Sequence, residues 1–256
     1  MRNKYLANCF TPIAAFILFS SLFLGCSPKV GSLTFERSMI IFNESLIAPD
    51  SSAMAMIMPF KSQIDLEMND ILIISEMALA KGQPESLLGN LVADLTLKKG
   101  MDYYQAPIDF CLLNNGGLRT ALPEGEITRG KVFELMPFEN ELVVLTLSGQ
   151  KAEQLFNYVA RSEGMPVAGI KMGIQDKKAV NVLINGKPFN PEKEYKVITS
   201  DYLANGGDKM AFFKDPLKSE ILYVKLRDAI IEFFTEENIA GRNLTSKEDG
   251  RIYFYE

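Results

Sequence analysis

The residues able to hold a polar ligand lie in four separated segments, and the chain contains no histidine. Asn114-Asn115-Gly116-Gly117-Leu118-Arg119 ends an apolar run in a glycine turn followed by a guanidinium. Glycine lacks Cβ and tolerates positive φ, so backbone N–H groups can approach an anion there. Arginine can fork two oxygens of a phosphate or carboxylate. Asp201-Tyr202-Leu203-Ala204-Asn205-Gly206-Gly207-Asp208 repeats the turn and adds an aromatic face and a carboxylate. Such a carboxylate can accept both hydroxyls of a sugar diol. Met136-Pro137-Phe138-Glu139-Asn140 places an aromatic in a proline loop with an amide two residues later, suited to stacking on a flat heterocycle and bonding its edge. In Glu85 to Asp94, Gly89 interrupts a helical pattern at a cost of about 1 kcal/mol against alanine, which points to close packing. Asn90 and Asp94 share one face of that helix and could support a site.

Each segment also has a plain structural alternative. Arg119 could be a surface residue after an ordinary turn, Phe138 a loop ring folded into the core, and Asp208 a turn-stabilising aspartate. Asn90 and Asp94 could face solvent. The lack of histidine removes the commonest general base and metal ligand. The segments therefore suggest a place to hold something polar without the usual means to react with it.

These segments need elements to carry them. Ile71 to Ser75 reads as a short strand. Pro84 and Glu85 are expected to open a helix with Leu88, Leu91, Val92 and Leu95 on its buried face, closed by Lys98, Lys99 and Gly100. Ile108 to Leu113 reads as a buried strand holding Cys111, and Thr128 to Leu135 as a short helix. Leu142 to Leu147 is a strand, after which Ser148 caps a helix burying Ala152, Leu155, Phe156 and Val159. Val180 to Ile184 with Asn185-Gly186 predicts a hairpin. Tyr195 to Thr199 is a strand, Leu226, Ala229, Ile230 and Phe233 mark a last helix, and Arg251 to Tyr255 a closing strand. Interspersed strands and helices with hairpins predict an α/β chain, a mixed sheet with flanking helices.

The start of the chain has different chemistry. Arg2 and Lys4 precede an apolar stretch, roughly Ile13 to Leu24, and then Gly25-Cys26-Ser27. This is the pattern of an export signal, and its apolar core is short against the ~20 residues of a membrane span. Phe23-Leu24-Gly25-Cys26 resembles the bacterial lipobox, which implies cleavage before Cys26 and lipid on that cysteine. An ordinary secreted protein is the alternative. Cys111 is then alone, so no disulfide framework is expected and stability must come from the core. Residues 1–25 are read as signal, 26–66 as tether and extension, and 67–256 as the domain. Leu33 to Phe42 could be a strand, Pro49 to Ser52 a loop, and Met54, Met56 and Met58 flexible core filler. A net charge of −5 and no basic stripe argue against DNA or RNA as partner.

Taken together, the segments resemble the C-terminal domain of the 5′-nucleotidase and UDP-sugar hydrolase family over Ile71 to Glu256. The family carries an Asn-Gly-Gly-Ile-Arg-like turn, a Pro-Phe-x-Asn loop and a Leu-Ala-Asn-Gly-Gly-Asp-Gly-like segment in this order. The resemblance implies that Phe138 and Tyr202 sandwich a base, Asn140 touches its edge and Asp208 holds the ribose. It places Asn114, Gly116, Gly117 and Arg119 on the sugar–phosphate side, with Asn205 and Gly207 in the second turn. Tyr202 stands where phenylalanine is usual, Lys209 where glycine is frequent, and Gly82 beside Lys81 where the family has an arginine. A lysine lacks the guanidinium fork, so a nucleoside or a weakly held nucleotide is the expected ligand. The family's two-metal catalytic domain is not read in this chain, so no catalytic residue, metal or cofactor is assigned to it. The resemblance thus implies a lipid-anchored binding component of the bacterial cell envelope, inactive alone, with divalent metals on a separate metallophosphoesterase subunit. The alternatives are a nucleoside-capture lipoprotein and a structural envelope protein without a ligand.

Overall fold

A computed structural model describes residues 50–256. The signal, Cys26 and Leu33 to Phe42 lie outside the described residues. Helix α1, Ser51–Met68, is followed by β1, Ile71–Ser75, and α2, Leu87–Tyr104. Then come β2, Phe110–Leu112; β3, Gly125–Thr128; α3, Arg129–Leu135; β4, Glu141–Ser148; and α4, Gly149–Arg161. Strands β5, Val167–Ala168; β6, Ile170–Gln175; β7, Lys178–Ile184; β8, Lys187–Pro188; and β9, Glu194–Ser200 lead to a single turn, α5, Asp201–Ala204. Strand β10, Lys218–Lys225, helix α6, Leu226–Ile239, and β11, Ile252–Phe254, complete the chain. This is the mixed α/β architecture that the alternating periods predict.

The central sheet runs β10-β4-β9-β2-β5 and is antiparallel except for β2 against β9. Strand β4 is covered on both faces, which is why Leu142 to Leu147 reads as an apolar run broken only by Thr146. Leu142, Val144, Cys111 and Ile198 face one core with α2 and α6. Val143, Leu145, Leu147, Phe110, Leu112 and Val197 face the other with α4. A second sheet runs β11-β6-β7-β8, with β11 parallel to β6, and β1 pairs with β3.

Several expectations change. Helix α2 starts at Leu87 with Ser86 as its cap, because the Ser86 side chain accepts from Gly89 N. Glu85 lies outside the helix and accepts from Gly250 N and from Asn90 Nδ2. The helix does not stop at Gly100 but runs to Tyr104, capped by Gln105 in the left-handed region. Gly100 is needed for contact, since a Cβ there would lie 2.1 Å from Ile198 Cδ1. Lys99 bridges to Glu232 and Glu236 of α6 rather than closing the helix. In α6, Phe234 is fully buried and Phe233 packs at the edge. The loop expected at Ser51 and Ser52 is the start of α1, which crosses the expected 66/67 boundary and carries Met54, Met56 and Met58 exposed, not as core filler. Alanine and methionine are strong helix formers and carry the segment through Pro59, at the loss of one backbone hydrogen bond. Among the described residues no helix is long and apolar enough to cross a membrane.

Candidate functional site

The sheet register brings three distant loops to one edge. Strands β2 and β9 are parallel neighbours, with Phe110 opposite Val197 and Cys111 opposite Ile198. Both glycine turns therefore leave the sheet at the same end. Strand β4 is antiparallel to β9, with Leu142 opposite Ser200, so the loop entering β4 arrives at that end too. Asn114, Gly116, Gly117, Arg119, Phe138, Asn140, Tyr202 and Asp208 line one cleft of about 400 Å³ there. Asn205 and Gly207, also expected in the site, are not among its lining residues. The Asn205 N–H closes α5 onto Asp201 O. Gly207 packs under Tyr202, where a Cβ would lie 2.5 Å from the ring.

The expectation that both turns exploit positive φ holds only for the second, at Gly206 (φ 88°). In the first turn, Gly117 is demanded by proximity, because a Cβ would stand 2.7 Å from Asn114 Oδ1. Phe138 and Tyr202 keep 40% and 46% of their surface exposed, so neither ring belongs to the core. The Arg119 guanidinium sits 5.8 Å from the Phe138 ring centroid and donates to Gly116 O at 3.2 Å.

Asp208 is held from several sides. Asn114 Nδ2 donates to its Oδ2 at 2.6 Å, and the Tyr202 hydroxyl donates to its Oδ1 at 2.8 Å. The Tyr158 hydroxyl, from α4, donates to the Asp208 backbone carbonyl at 2.6 Å. The bond to the Asp208 carboxylate pushes the Tyr202 phenol above its ordinary pKa. Sequence reading missed Tyr158, since its helical spacing gives only a partly buried position beside Val159.

Asn90 and Asp94 do not reach this cleft. Asn90 bonds to Glu85 and to Lys247 O, and Asp94 pairs with Arg251. Lys81 donates to Leu118 O at 2.9 Å, behind the first turn, and Arg119 is the one cationic side chain among the lining residues described. Cys111 is fully buried in β2, where burial pushes its thiol pKa well up, so it has no reactive character. Among the described residues no three acidic or cysteine side chains gather as a metal site.

The Phe138 loop is anchored by a residue that the motifs do not contain. Arg227, 5% exposed at the start of α6, pairs with Glu139 and donates to Pro137 O at 3.3 Å. Hydrogen bonds from Arg227 and Lys225 hold the Glu139 carboxyl at about 2, well below its ordinary value. A depressed carboxylate pKa stabilises the fold fully above the ordinary value, and that contribution disappears as pH falls through about 2. Titration of the Glu139 side chain followed by carboxyl-carbon NMR is expected to find it still mostly ionised near pH 3.5. A midpoint near 4.5 would mean the pair is not formed.

The family model of the 5′-nucleotidase C-terminal domain matches residues 68–215. The chain is 32% identical to Protein UshA of Yersinia enterocolitica, over 68% of this chain and 32% of that protein. It is 26% identical to cell wall protein Lmo0130 of Listeria monocytogenes, over 83% of this chain and 30% of that protein. The chain thus spans about a third of the length of these curated relatives. The fold is similar to the crystal structure of a 5′-nucleotidase precursor from Thermus thermophilus, with a TM-score of 0.68 and 24% identity, covering 79% of this chain and 43% of that one. The family match and the order of the three cleft loops agree: this chain belongs to the 5′-nucleotidase C-terminal domain family.

Proposed function

We propose that the cleft binds a nucleoside or nucleotide, with the base between Phe138 and Tyr202. The observation that carries this reading is the placement of two exposed aromatic rings, from loops far apart in sequence, beside a carboxylate fixed by Asn114 and Tyr202. In this reading Asn140 meets the base edge and Asp208 accepts from the ribose. Each Asp208 oxygen already takes one internal donor and keeps a lone pair for a ribose hydroxyl. Arg119 faces the phosphate end. The chain acts in nucleotide hydrolysis beside a separate metal-bearing metallophosphoesterase subunit, itself holding substrate rather than cleaving it. Lipid on Cys26 would tether it to the bacterial cell envelope.

Arg119 as the single described cation of the cleft also favours a second reading, capture of nucleosides without need of phosphate. Calorimetry of the purified chain with adenosine, AMP and UDP-glucose separates the two. A gain from phosphate supports the nucleotide reading, equal affinities support capture, and absence of binding to all three removes both. Mixing the chain with metallophosphoesterases and following phosphate release from AMP tests the two-subunit arrangement. No increase over the metalloenzyme alone would count against it.

Tyr202→Phe keeps the ring and removes one of the two side-chain donors to the Asp208 carboxylate. A hydrogen bond to a carboxylate is stronger than a neutral one, and the exposed setting discounts it. We expect ribonucleoside affinity to fall about threefold to tenfold, with no change for the free base. Equal losses for nucleoside and free base would assign the hydroxyl to the base instead.

A further inference from the structure

The cleft's Phe138 edge has little of its own to hold it in place. Phe138 is exposed, and its ring meets the Arg119 guanidinium, itself exposed. What fixes the loop lies behind it, at the junction of β10 and α6. Arg227 reaches the loop with two bonds, to Pro137 O before the ring and to the Glu139 carboxylate after it. Leu226 N donates to Asn140 O at 2.9 Å, and Lys225 pairs with Glu139 and lies opposite Glu141 in the sheet. Three consecutive residues, Lys225 to Arg227, thus bind loop positions 137, 139 and 140, on both sides of the ring.

Arg227 is itself immobilised. Its side chain is 6% exposed, and its guanidinium stacks 4.2 Å from the Phe133 ring centroid, on the helix leading into the loop. Its buried Nε has no hydrogen-bond partner. Keeping a buried charge with an unsatisfied donor costs free energy. An apolar side chain stacked on Phe133 would avoid that cost. It could not bond the loop from both sides of residue 138.

We propose that Arg227 is a positioning residue for the candidate cleft, holding Phe138 and Asn140 at its edge through Pro137 and Glu139. Affinity at the cleft is then set partly from α6, which touches no ligand. The affinity claim rests on the nucleoside reading above, whereas the claim about loop order does not.

Phe138→Trp gives the test its probe, because the chain has no tryptophan and the indole reports on the loop alone. Nanosecond anisotropy of this reporter is compared with and without Glu139→Ala or Arg227→Lys, while adenosine calorimetry is run on the same two substitutions in the otherwise native chain. We expect each to add a fast component to the indole decay and to weaken adenosine binding about tenfold. A purely structural role would lower the melting temperature and leave the indole equally ordered at 25 °C. Should Arg227→Lys fail to fold, Glu139→Ala carries the test, since the Glu139 side chain is largely exposed. An unchanged indole decay overturns the proposal, as does unchanged adenosine affinity in a chain that binds adenosine. If the native chain binds no nucleoside, the reading of the cleft fails, and the anisotropy still decides whether Arg227 orders the loop.

Discussion

Phe138→Ala and Tyr202→Ala are each expected to weaken adenosine and AMP binding by roughly 5- to 150-fold, and the pair together to abolish measurable binding. The size follows from stacking, which contributes about 1–3 kcal/mol when an aromatic platform is removed, and each 1.4 kcal/mol is about tenfold in affinity. The two rings stand on loops joined to different strands, so neither substitution disturbs the other's backbone. Both are at least 40% exposed, so little core contact is lost; the melting temperature should move by no more than about 2 °C for Phe138→Ala and by a few degrees for Tyr202→Ala, which also loses its bonds to Asp208. Calorimetry beside thermal melting checks both halves. Unchanged affinity in both single variants would remove the base from between the rings. A large drop in melting temperature would instead mean that the rings support the fold.

Gly164→Ala is expected to be the most disruptive single-methyl change near the site. Gly164 has φ +113°, and an added Cβ would lie 2.0 Å from Pro84 O and 2.5 Å from Pro84 Cα. The three nearest atoms are all Pro84 backbone, so no side chain can swing away. Residues in such sparsely populated φ/ψ regions cost about 1–3 kcal/mol, and overpacking about 1–3 kcal/mol more. The sum, roughly 2–6 kcal/mol, is a large share of a typical 5–15 kcal/mol stability. It should lower the melting temperature by about 5–20 °C. The effect also reaches the cleft, because Gly164 O accepts from Asn115 Nδ2, in the first glycine turn, and from Gln83 Nε2. Gly186→Ala is the control: φ is +76° and nothing lies within 4 Å of the added atom. It should cost about 1–2 kcal/mol from φ alone. Similar melting shifts for the two would show that the Pro84 contact is not what makes Gly164 necessary.

Part of this arrangement is local and therefore readable along the chain. Apolar spacing locates β4, α4 and α6, and Ser148 marks the start of α4, because side-chain period and capping act within a few residues. Helix ends are weaker signals. Lys98-Lys99-Gly100 resembles a stop, yet Gly100 is there to let α2 approach Ile198, and Lys99 to reach across to α6. The same two residue types serve a terminus or a contact, and only the neighbour decides. Strand β3 passes unnoticed because Gly125-Glu126-Ile127-Thr128 holds one buried apolar residue. The glycine turns are recognisable as turns, while the reason for Gly117 and Gly207 lies in side chains, Asn114 and Tyr202, that fold back onto them.

Composition and order settle which residue types are available: flat rings, one guanidinium beside a glycine turn, one carboxylate after another, and no histidine. The sequence could also order the four segments by their resemblance to a family. The tertiary structure alone decided that three of these segments meet and that the Asn90-Asp94 segment does not. It also decided that Arg227, Tyr158 and Gly164 stand behind the ones that meet. The physical reason is that the parallel pairing of β2 with β9, and the antiparallel register of β4, are backbone hydrogen bonds between residues far apart in sequence. Their geometry sets which loops share an end of the sheet, and no period within either strand records its partner.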